Sequence, residues 1–252
     1  MSSASTYLIT GANRGIGQGS VRRLLLRPGC TVIAAVRDPS KAIVGLEALP
    51  TGEESRLLVV KVDSTVHTDA AEAAEELRQK HGIDKVDVVI ANAGIYQNNT
   101  SILNTDPDLL REHFEVNTLA PLALLRAFAP LLKGSVAPKF VGISSLVGGL
   151  GLMKEMMEYG NVASPYGASK AALNWIVQRV CLEEDWLTAF VFNPGLVITD
   201  MAKSFAGGAD LEKIGGSTVD DSTESMLKII DVATRDVHGG KFLQYNGQEL
   251  PW

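Results

Sequence analysis

The sequence predicts an α/β fold in which one doubly wound (Rossmann-type) parallel sheet of about seven strands carries helices on both faces. Its 252 residues suit a single domain of that class. Short apolar runs rich in branched residues alternate with longer stretches whose apolar residues recur at helical spacing. A Gly-rich turn directly follows the first apolar run, as it does in dinucleotide-binding βαβ units.

The elements follow from these periodicities. The apolar runs predict strands at 7–9, 30–36, 57–62, 86–91, 140–145, 187–192 and 242–245. Helices are expected after the first Gly-rich turn, at 70–77, around 114–125, from Tyr166 onward and at 223–234. The stretch 202–218 is rich in Gly and small polar residues, which predicts a mobile substrate lid around 196–218.

Composition narrows the class of protein. The net charge of −6, with both signs interspersed, leaves no basic stripe and argues against a nucleic-acid partner. The two cysteines, Cys30 and Cys181, lie in apolar runs and read as buried thiols of a reducing compartment. The N-terminus lacks a signal-peptide pattern, and no long uninterrupted apolar stretch predicts a membrane span. We therefore expect a cytoplasmic protein.

The first candidate binding element is the turn Thr10-Gly11-Ala12-Asn13-Arg14-Gly15-Ile16-Gly17. Such a turn lets backbone N–H groups approach a pyrophosphate and points a helix N-terminus at its charge. Its G-x-x-x-G-x-G spacing differs from the G-x-G-x-x-G fingerprint, so an ordinary βα turn is the alternative.

The end of the second strand bears on cofactor choice. Arg37 follows Val36 there, and a guanidinium at this point would pair with a 2′-phosphate, with Arg14 as a second cation. The alternatives are that both arginines are surface charges, or that Asp38 binds a free ribose hydroxyl.

Polar residues also follow other strands. They are Asp63, the Asn92-Ala93-Gly94 turn, the Ser144-Ser145 pair and Asn193-Pro194-Gly195. Ligands of open α/β sheets lie at this edge. Asn117 is unfavourable inside a helix, so it either faces solvent or has a specific hydrogen-bonding task. His113 has no Cys or carboxylate at ligand spacing, so we predict no metal site and interpret it as a surface or capping histidine.

Tyr166 and Lys170 organise the chemistry. They lie four residues apart at the start of a helix and therefore share one face. A nearby cation favours a phenolate, so we expect Lys170 to lower the pKa of Tyr166 toward that of a useful acid or base. Two residues on a solvated helix face are the alternative.

Jointly these motifs resemble the short-chain dehydrogenase/reductase family over nearly the whole chain. The motifs are Thr10-Gly11-x-x-x-Gly15-x-Gly17, Asp63, Asn92-Ala93-Gly94, Asn117, Ser145, Tyr166-x-x-x-Lys170 and Pro194-Gly195. The Asn-Arg-Gly-Ile-Gly loop and the ending Tyr245-Asn-Gly-Gln-Glu-Leu-Pro-Trp252 are similar to the fungal norsolorinic acid ketoreductase-like branch.

The resemblance implies a catalytic set of Asn117, Ser145, Tyr166 and Lys170, with Ser145 chosen over Ser144 by its place in the motif. It implies NADP(H) contacts from Gly11, Asn13, Arg14, Gly15, Ile16, Gly17, Arg37, Asp63, Asn92, Ala93, Gly94, Tyr166, Lys170, Pro194, Gly195, Val197 and Thr199. The resemblance further implies that Asn117 holds a water that relays protons to Lys170. It also implies that Lys170 contacts the nicotinamide ribose and that Thr199 contacts the carboxamide. It also implies a homo-oligomer built through the Asn117 and Tyr166 helices.

The expected function is NADPH-dependent reduction of a lipophilic or polyketide-like ketone, with Tyr166 as proton donor. An NAD-dependent alcohol dehydrogenase that uses Asp38 and a non-enzymatic NADP-binding sensor are the alternatives. The 21-residue step from Ser145 to Tyr166 carries a Gly/Met segment. We expect Met153, Met156, Met157, Tyr159 and Leu196 to line an apolar pocket with residues 202–218.

Overall fold

The structure is a computed structural model that describes residues 5–97, 100–158, 163–206 and 208–252. Its strands are β1 (Thr6–Thr10), β2 (Thr31–Val36), β3 (Arg56–Lys61), β4 (Val88–Ala91), β5 (Lys139–Ile143), β6 (Thr188–Asn193) and β7 (Phe242–Gln244). They form one sheet in the order β3-β2-β1-β4-β5-β6-β7, and every neighbouring pair is parallel. The predicted fold class is confirmed.

Helices connect the strands. They are α1 (Gly15–Leu25), α2 (Pro39–Glu47), α3 (Asp69–His81), α4 (Pro107–Phe114), α5 (Ala120–Leu132), α6 (Met153–Glu158), α7 (Ser164–Glu183), α8 (Asp200–Phe205), α9 (Val219–Val232) and α10 (Arg235–His238). A π-helical turn, Glu115–Leu119, joins α4 to α5. Short 3-10 turns lie at Ile102–Asn104, Leu146–Gly148 and Leu150–Leu152.

The sheet has a hydrophobic core on each face. Because side chains alternate along a strand, Leu8 of β1 joins the core formed with α3, α5 and α7, whereas Ile9 joins the core formed with α1, α2 and α9. Both faces being covered explains why the strands read as continuous apolar runs. Phe128 and Phe190 are fully buried, one on each face. Side chains of this size each stabilise the fold by roughly 1.5–3 kcal/mol.

The continuous helix Pro107–Leu132 has a mean hydropathy of 1.2 in its most apolar window, which meets the length and composition criteria for a membrane span. Half of that window is buried inside the protein. The helix packs against α3 and α7, which is the environment of a core helix. The absence of a membrane span stays a prediction.

The topology places the site. The strand order reverses at β1, which lies between β2 and β4, and ligands of such sheets bind outside the carboxyl ends of the strands at that point. Predicted strand limits are off by one or two residues, because an apolar run does not show where pairing with the neighbouring strand ends. The predicted strand 140–145 ends at Ile143, which leaves Ser144 and Ser145 beyond the sheet edge.

Candidate active site

The glycine loop between β1 and α1 requires glycine for two reasons. Gly11 and Gly15 have φ of +64° and +53°, in the left-handed region that side chains other than glycine rarely adopt. A Cβ at Gly17 would lie 2.3 Å from the Gly11 carbonyl oxygen, so nothing larger fits there without moving the loop. The spacing that departs from the usual fingerprint therefore still meets its physical demands.

The turn after β4 locks this loop. Asn92 Nδ2 donates to the Thr10 carbonyl at 2.8 Å, and Thr10 Oγ1 accepts from the backbone N–H groups of Asn92 and Ala93, both at 3.0 Å. Asn92 and Ala93, predicted to contact cofactor, thus also hold the loop in place.

The first turn of α1 offers an anion site. Its N-cap residue, Arg14, makes no side-chain cap, and no acidic residue lies in the first turn. The N–H groups there can therefore receive a phosphate, with the helix dipole favouring its charge. Asn13 and Arg14 are exposed at the mouth of the loop, while Ile16 is partly buried beneath it.

Arg14 and Arg37, the candidate ligands of a 2′-phosphate, differ from Asp38 in their ion pairs. Arg14 and Arg37 are exposed, and within the described parts of the chain neither forms an ion pair. Asp38 instead caps α2: its carboxylate accepts from Ser40 Oγ at 2.6 Å and pairs with Lys41 Nζ at 3.1 Å. These contacts hold the pKa of Asp38 below its usual value. Its oxygens are already engaged, which counts against a role on a ribose hydroxyl.

A small crevice lies beside the glycine loop at the ends of β1, β3 and β4. Thr10, Val62, Ser64, Ala91, Ala93, Ala120, Pro121 and Leu124 line it. Asp63 lines the neighbouring crevice, and its carboxylate accepts from the backbone N–H of Thr65 at 2.9 Å. The crevice is too small to hold a base, so the fit to a dinucleotide rests on the glycine loop and on the open N-terminus of α1, which suit a pyrophosphate.

Ser145 and Tyr166 meet at the centre of the sheet edge. Ser145 follows β5, Tyr166 lies in the first turn of α7, and their side chains are hydrogen-bonded. Burial raises the pKa of Tyr166 to about 12, against the smaller lowering effect of the Ser145 hydrogen bond. Tyr166 is therefore a neutral phenol at neutral pH and suited to donating a proton.

Lys170 does not act as the sequence suggested. Its ammonium is buried, donates to the Ile143 carbonyl at 2.7 Å and lies 5.6 Å from the centroid of the Tyr166 ring. We expected it to lower the pKa of Tyr166, but dehydration dominates and that pKa is raised. Burial also lowers the pKa of Lys170 to about 8.

This pKa makes a stability prediction. In the unfolded chain the Lys170 ammonium has its ordinary pKa of 10.5. In the native protein its pKa is about 8, so the ammonium loses its proton at a lower pH. The unfolded state therefore binds more protons in that window, and the free energy of unfolding should rise with pH. Between these two pKa values, the free energy of unfolding of the wild type should rise by up to about 3 kcal/mol relative to that of Lys170→Met, as measured by urea denaturation. The exposed Lys80→Met is the control, and a pH-independent difference for Lys170→Met would contradict the assignment.

Asn117 has the specific task that was one of two alternatives. It is fully buried in the π-helical turn, a feature frequent at functional sites. Its Oδ1 accepts from Ile95 N at 2.9 Å, and its Nδ2 donates to Ile95 O and to Ser169 Oγ, both at 3.0 Å. Asn117 thus ties the segment after Gly94 to α7. A Cβ at Gly94 would lie 3.1 Å from Asn117 Oδ1 and 3.5 Å from Lys170 Nζ, so these groups converge on that glycine.

The interpretation of His113 as a surface or capping residue was wrong. The side chain is fully buried on the inner face of α4. Its Nδ1 bonds to Leu109 O at 2.8 Å, and its Nε2 accepts from Gln97 N at 3.2 Å. A carbonyl on one nitrogen and an N–H on the other assign a neutral imidazole protonated at Nδ1. Its helical neighbours gave no hint of this, because the partner lies sixteen residues away.

The two serines after β5 have separate roles. Ser144 is buried and hydrogen-bonded to Asn174 Oδ1, so its hydroxyl is used structurally, whereas Ser145 faces Tyr166. Asn193, which was not among the predicted site residues, accepts from Leu146 N at 3.1 Å and so holds the residue after Ser145. Its only sequence signal was its position at the end of a strand.

The predicted lid begins with a short helix. Thr199 caps α8 through a hydrogen bond from Ala202 N at 3.2 Å, and a Cβ at Gly15 would lie 3.4 Å from Thr199 Cγ2. The N-terminus of α8 therefore lies against the glycine loop. Before it, Pro194 is buried, Gly195 has φ of +85°, and buried Val197 pairs with Ser217. These positions suit contact with cofactor, which stays a prediction.

Two aromatic residues that the sequence did not single out, Tyr96 and Phe205, form a series of ring contacts that ends at Tyr166. The ring of Phe205, at the end of α8, packs edge-on against Tyr96 with centroids 5.3 Å apart. Tyr96 in turn packs edge-on against Tyr166 with centroids 5.5 Å apart. Phe205 and Tyr96 thus connect α8 to the predicted proton donor.

The predicted methionine pocket is only partly described. Met153 and Met157 of α6 are each 57% exposed, and Met156 and Leu196 are partly buried. Tyr159 lies outside the described residues. More than half of two methionine side chains is therefore available to a ligand, and their role as pocket wall stays a prediction.

Comparison with known proteins gives one consistent result. A family model described as short chain dehydrogenase matches residues 5–209. A short-chain dehydrogenase from Pyricularia oryzae is 41% identical, with all of both chains covered. A norsolorinic acid ketoreductase from Dothistroma septosporum is 40% identical over all of this chain and 94% of its own. The NADPH-bound carbonyl reductase from chicken fatty liver superposes with a TM-score of 0.84 at 28% identity over all of both chains.

Proposed function

The chain belongs to the short-chain dehydrogenase family, and we propose that within this family it is an NADPH-dependent reductase of lipophilic ketones. The family assignment made from the motifs, including the likeness to norsolorinic acid ketoreductases, is confirmed. The observation that carries the proposal is the neutral phenol of Tyr166, hydrogen-bonded to Ser145 at the sheet edge beside the glycine loop. A dinucleotide sensor would have no use for this pair.

The chain's own residues would act in three ways. The nicotinamide cofactor, when bound, supplies a hydride to the carbonyl carbon. Ser145 donates a hydrogen bond to the carbonyl oxygen and stabilises its growing negative charge. Tyr166 transfers the phenolic proton to that oxygen, and the buried ammonium of Lys170 lies over the Tyr166 ring. Its pKa of about 8 leaves Lys170 mostly charged at neutral pH, which favours the phenolate once the proton has left.

We propose NADPH rather than NADH because of the charged residues near the end of β2 and in the glycine loop. Arg37 and Arg14 are exposed cations without ion-pair partners among the described residues, so both are available to a 2′-phosphate. Asp38, the residue the NAD alternative needs, is held by Ser40 and Lys41. The chicken carbonyl reductase that this chain resembles was solved with NADPH bound.

A lipophilic substrate is proposed from the groups around the phenol. The ring of Tyr96 lies against Tyr166, and that of Phe205 lies against Tyr96. The exposed methionines of α6 add apolar surface that adapts to irregular shapes. Two relatives that cover this chain almost fully are norsolorinic acid ketoreductases by name. We place the enzyme in the cytoplasm, in line with its two buried free thiols.

The test is a substrate panel with purified protein and NADPH. We expect kcat/KM for 2-acetonaphthone to exceed that for 4-hydroxy-2-butanone by at least tenfold, since each buried methylene contributes up to about 0.8 kcal/mol to binding of the transition state. Cofactor oxidation without ketone is the background control. A preference for the small hydrophilic ketone would mean that α6 only packs, and the proposed substrate class would be wrong.

A further inference from the structure

Tyr96 carries a buried hydroxyl that the protein leaves without a partner. Its Oη is inaccessible to solvent and, within the described residues, accepts and donates no hydrogen bond. Burying a hydroxyl without a hydrogen bond costs free energy, so such groups are rare in folded proteins. Burial also raises the pKa of Tyr96, so the group is a neutral phenol.

The backbone around Tyr96 is fixed on both sides. Ile95 is held through both its N–H and its carbonyl by Asn117, at 2.9 and 3.0 Å. Gln97 donates its N–H to His113 Nε2 at 3.2 Å, and its side chain bonds to Glu112. Two buried polar residues of the long helix therefore clamp the residues before and after Tyr96, which limits its freedom to seek another partner.

The ring of Tyr96 lies at the reacting centre. It packs edge-on against Tyr166 on one side and against Phe205 of α8 on the other. A substrate whose carbonyl reaches Tyr166 therefore lies next to this ring. Because solvent does not reach the hydroxyl in the free protein, its contact with a substrate requires the packing against the Tyr96 ring to open.

From this arrangement we propose that Tyr96 is a specificity-determining residue, whose hydroxyl hydrogen-bonds a second oxygen of the substrate, a phenolic or alcoholic hydroxyl set apart from the reduced carbonyl. The inference rests on the proposed function and names the chemistry of its substrate more closely: an aromatic ketone that also bears a hydroxyl. A substrate without this hydroxyl would leave the buried polar group unpaired, and that cost is the strongest basis on which a site rejects a substrate.

The same inference implies that the unpaired Tyr96 hydroxyl lowers the stability of the free protein. Tyr96→Phe removes the unpaired oxygen and keeps both ring contacts. The free variant should therefore melt at the same temperature as wild type or higher, whereas a hydroxyl with a structural role would lower the melting temperature when removed.

The experiment compares acetophenone with its 2′-, 3′- and 4′-hydroxy derivatives, whose hydroxyls lie at three distances from the carbonyl. For at least one derivative, Tyr96→Phe should lower kcat/KM at least fivefold relative to its effect on acetophenone, while the Kd for NADPH is unchanged. Tyr7→Phe, which removes a phenol oxygen near Arg27 and Asp231 on the far part of β1, is the matched control and should change no ratio.

The outcomes separate the two proposals. If wild type turns over the ketones but Tyr96→Phe leaves every hydroxy-to-parent ratio within twofold, Tyr96 is not a specificity residue and the proposed function stands. If wild type oxidises no NADPH with any of these ketones, the proposed function fails, and the role of Tyr96 fails with it.

Discussion

Tyr166→Phe should lower kcat for ketone reduction by about 10²–10⁴-fold, the usual contribution of a positioned general acid. The substitution removes one oxygen and keeps the ring that contacts Tyr96 and lies beneath Lys170. The fold and the glycine loop do not depend on that oxygen, so the Kd for NADPH should change less than twofold. Stopped-flow or steady-state cofactor oxidation gives kcat, and cofactor fluorescence gives Kd.

Tyr7→Phe again serves as the control for this substitution. Tyr7 is a buried phenol whose pKa is likewise raised to about 12, but it lies beside Arg27 and Asp231, away from the site. Its loss should leave kcat within twofold. Retention of more than a tenth of wild-type kcat in Tyr166→Phe would show that another group supplies the proton.

Arg37→Ala should weaken NADPH binding by about 10- to 100-fold, which corresponds to the 1.5–3 kcal/mol of a hydrogen bond to a charged group. NADH lacks the 2′-phosphate, so its Kd should change less than threefold. Arg37 is exposed and pairs with no carboxylate in the described chain, which means that no internal ion pair is lost with it. Melting temperature should be unchanged.

The matched control for Arg37→Ala is Arg56→Ala. Arg56 begins β3 at the opposite edge of the sheet, where its Nε donates to Thr31 Oγ1 at 3.1 Å. Removing it deletes the same charge from the protein without touching the carboxyl ends of the strands. Equal weakening of NADPH binding and NADH binding by Arg37→Ala would reject a phosphate contact. A similar effect of Arg56→Ala would show that the loss of one positive charge from the protein explains the result.

The sequence predicted the sheet well because its strands are buried on both faces. Residues 32–36, for example, have no polar member, and the glycines at the turn after β1 are visible in the sequence because no larger residue meets the steric limits there. Residues whose type is unusual for their element, such as Asn117 inside a helix, were also identified from local signals.

The features it missed depend on contacts distant in the chain. His113 bonds to a residue sixteen positions earlier, and Tyr96 contacts side chains of α7 and α8, which lie far from it in the sequence. The pKa of Tyr166 went the opposite way from the expectation because it is set by burial in the folded protein, which the spacing to Lys170 does not report. Oligomerisation through the Asn117 and Tyr166 helices stays a prediction.

The central claim is that this chain reduces a ketone with NADPH, and the most direct measurement follows both reactants with wild-type protein. Purified enzyme is mixed with 2-acetonaphthone and either NADPH or NADH, and cofactor loss is compared with the amount of secondary alcohol formed. We predict one alcohol per NADPH oxidised and a kcat/KM for NADPH at least tenfold above that for NADH. Loss of NADPH without alcohol, or a preference for NADH, would contradict the account.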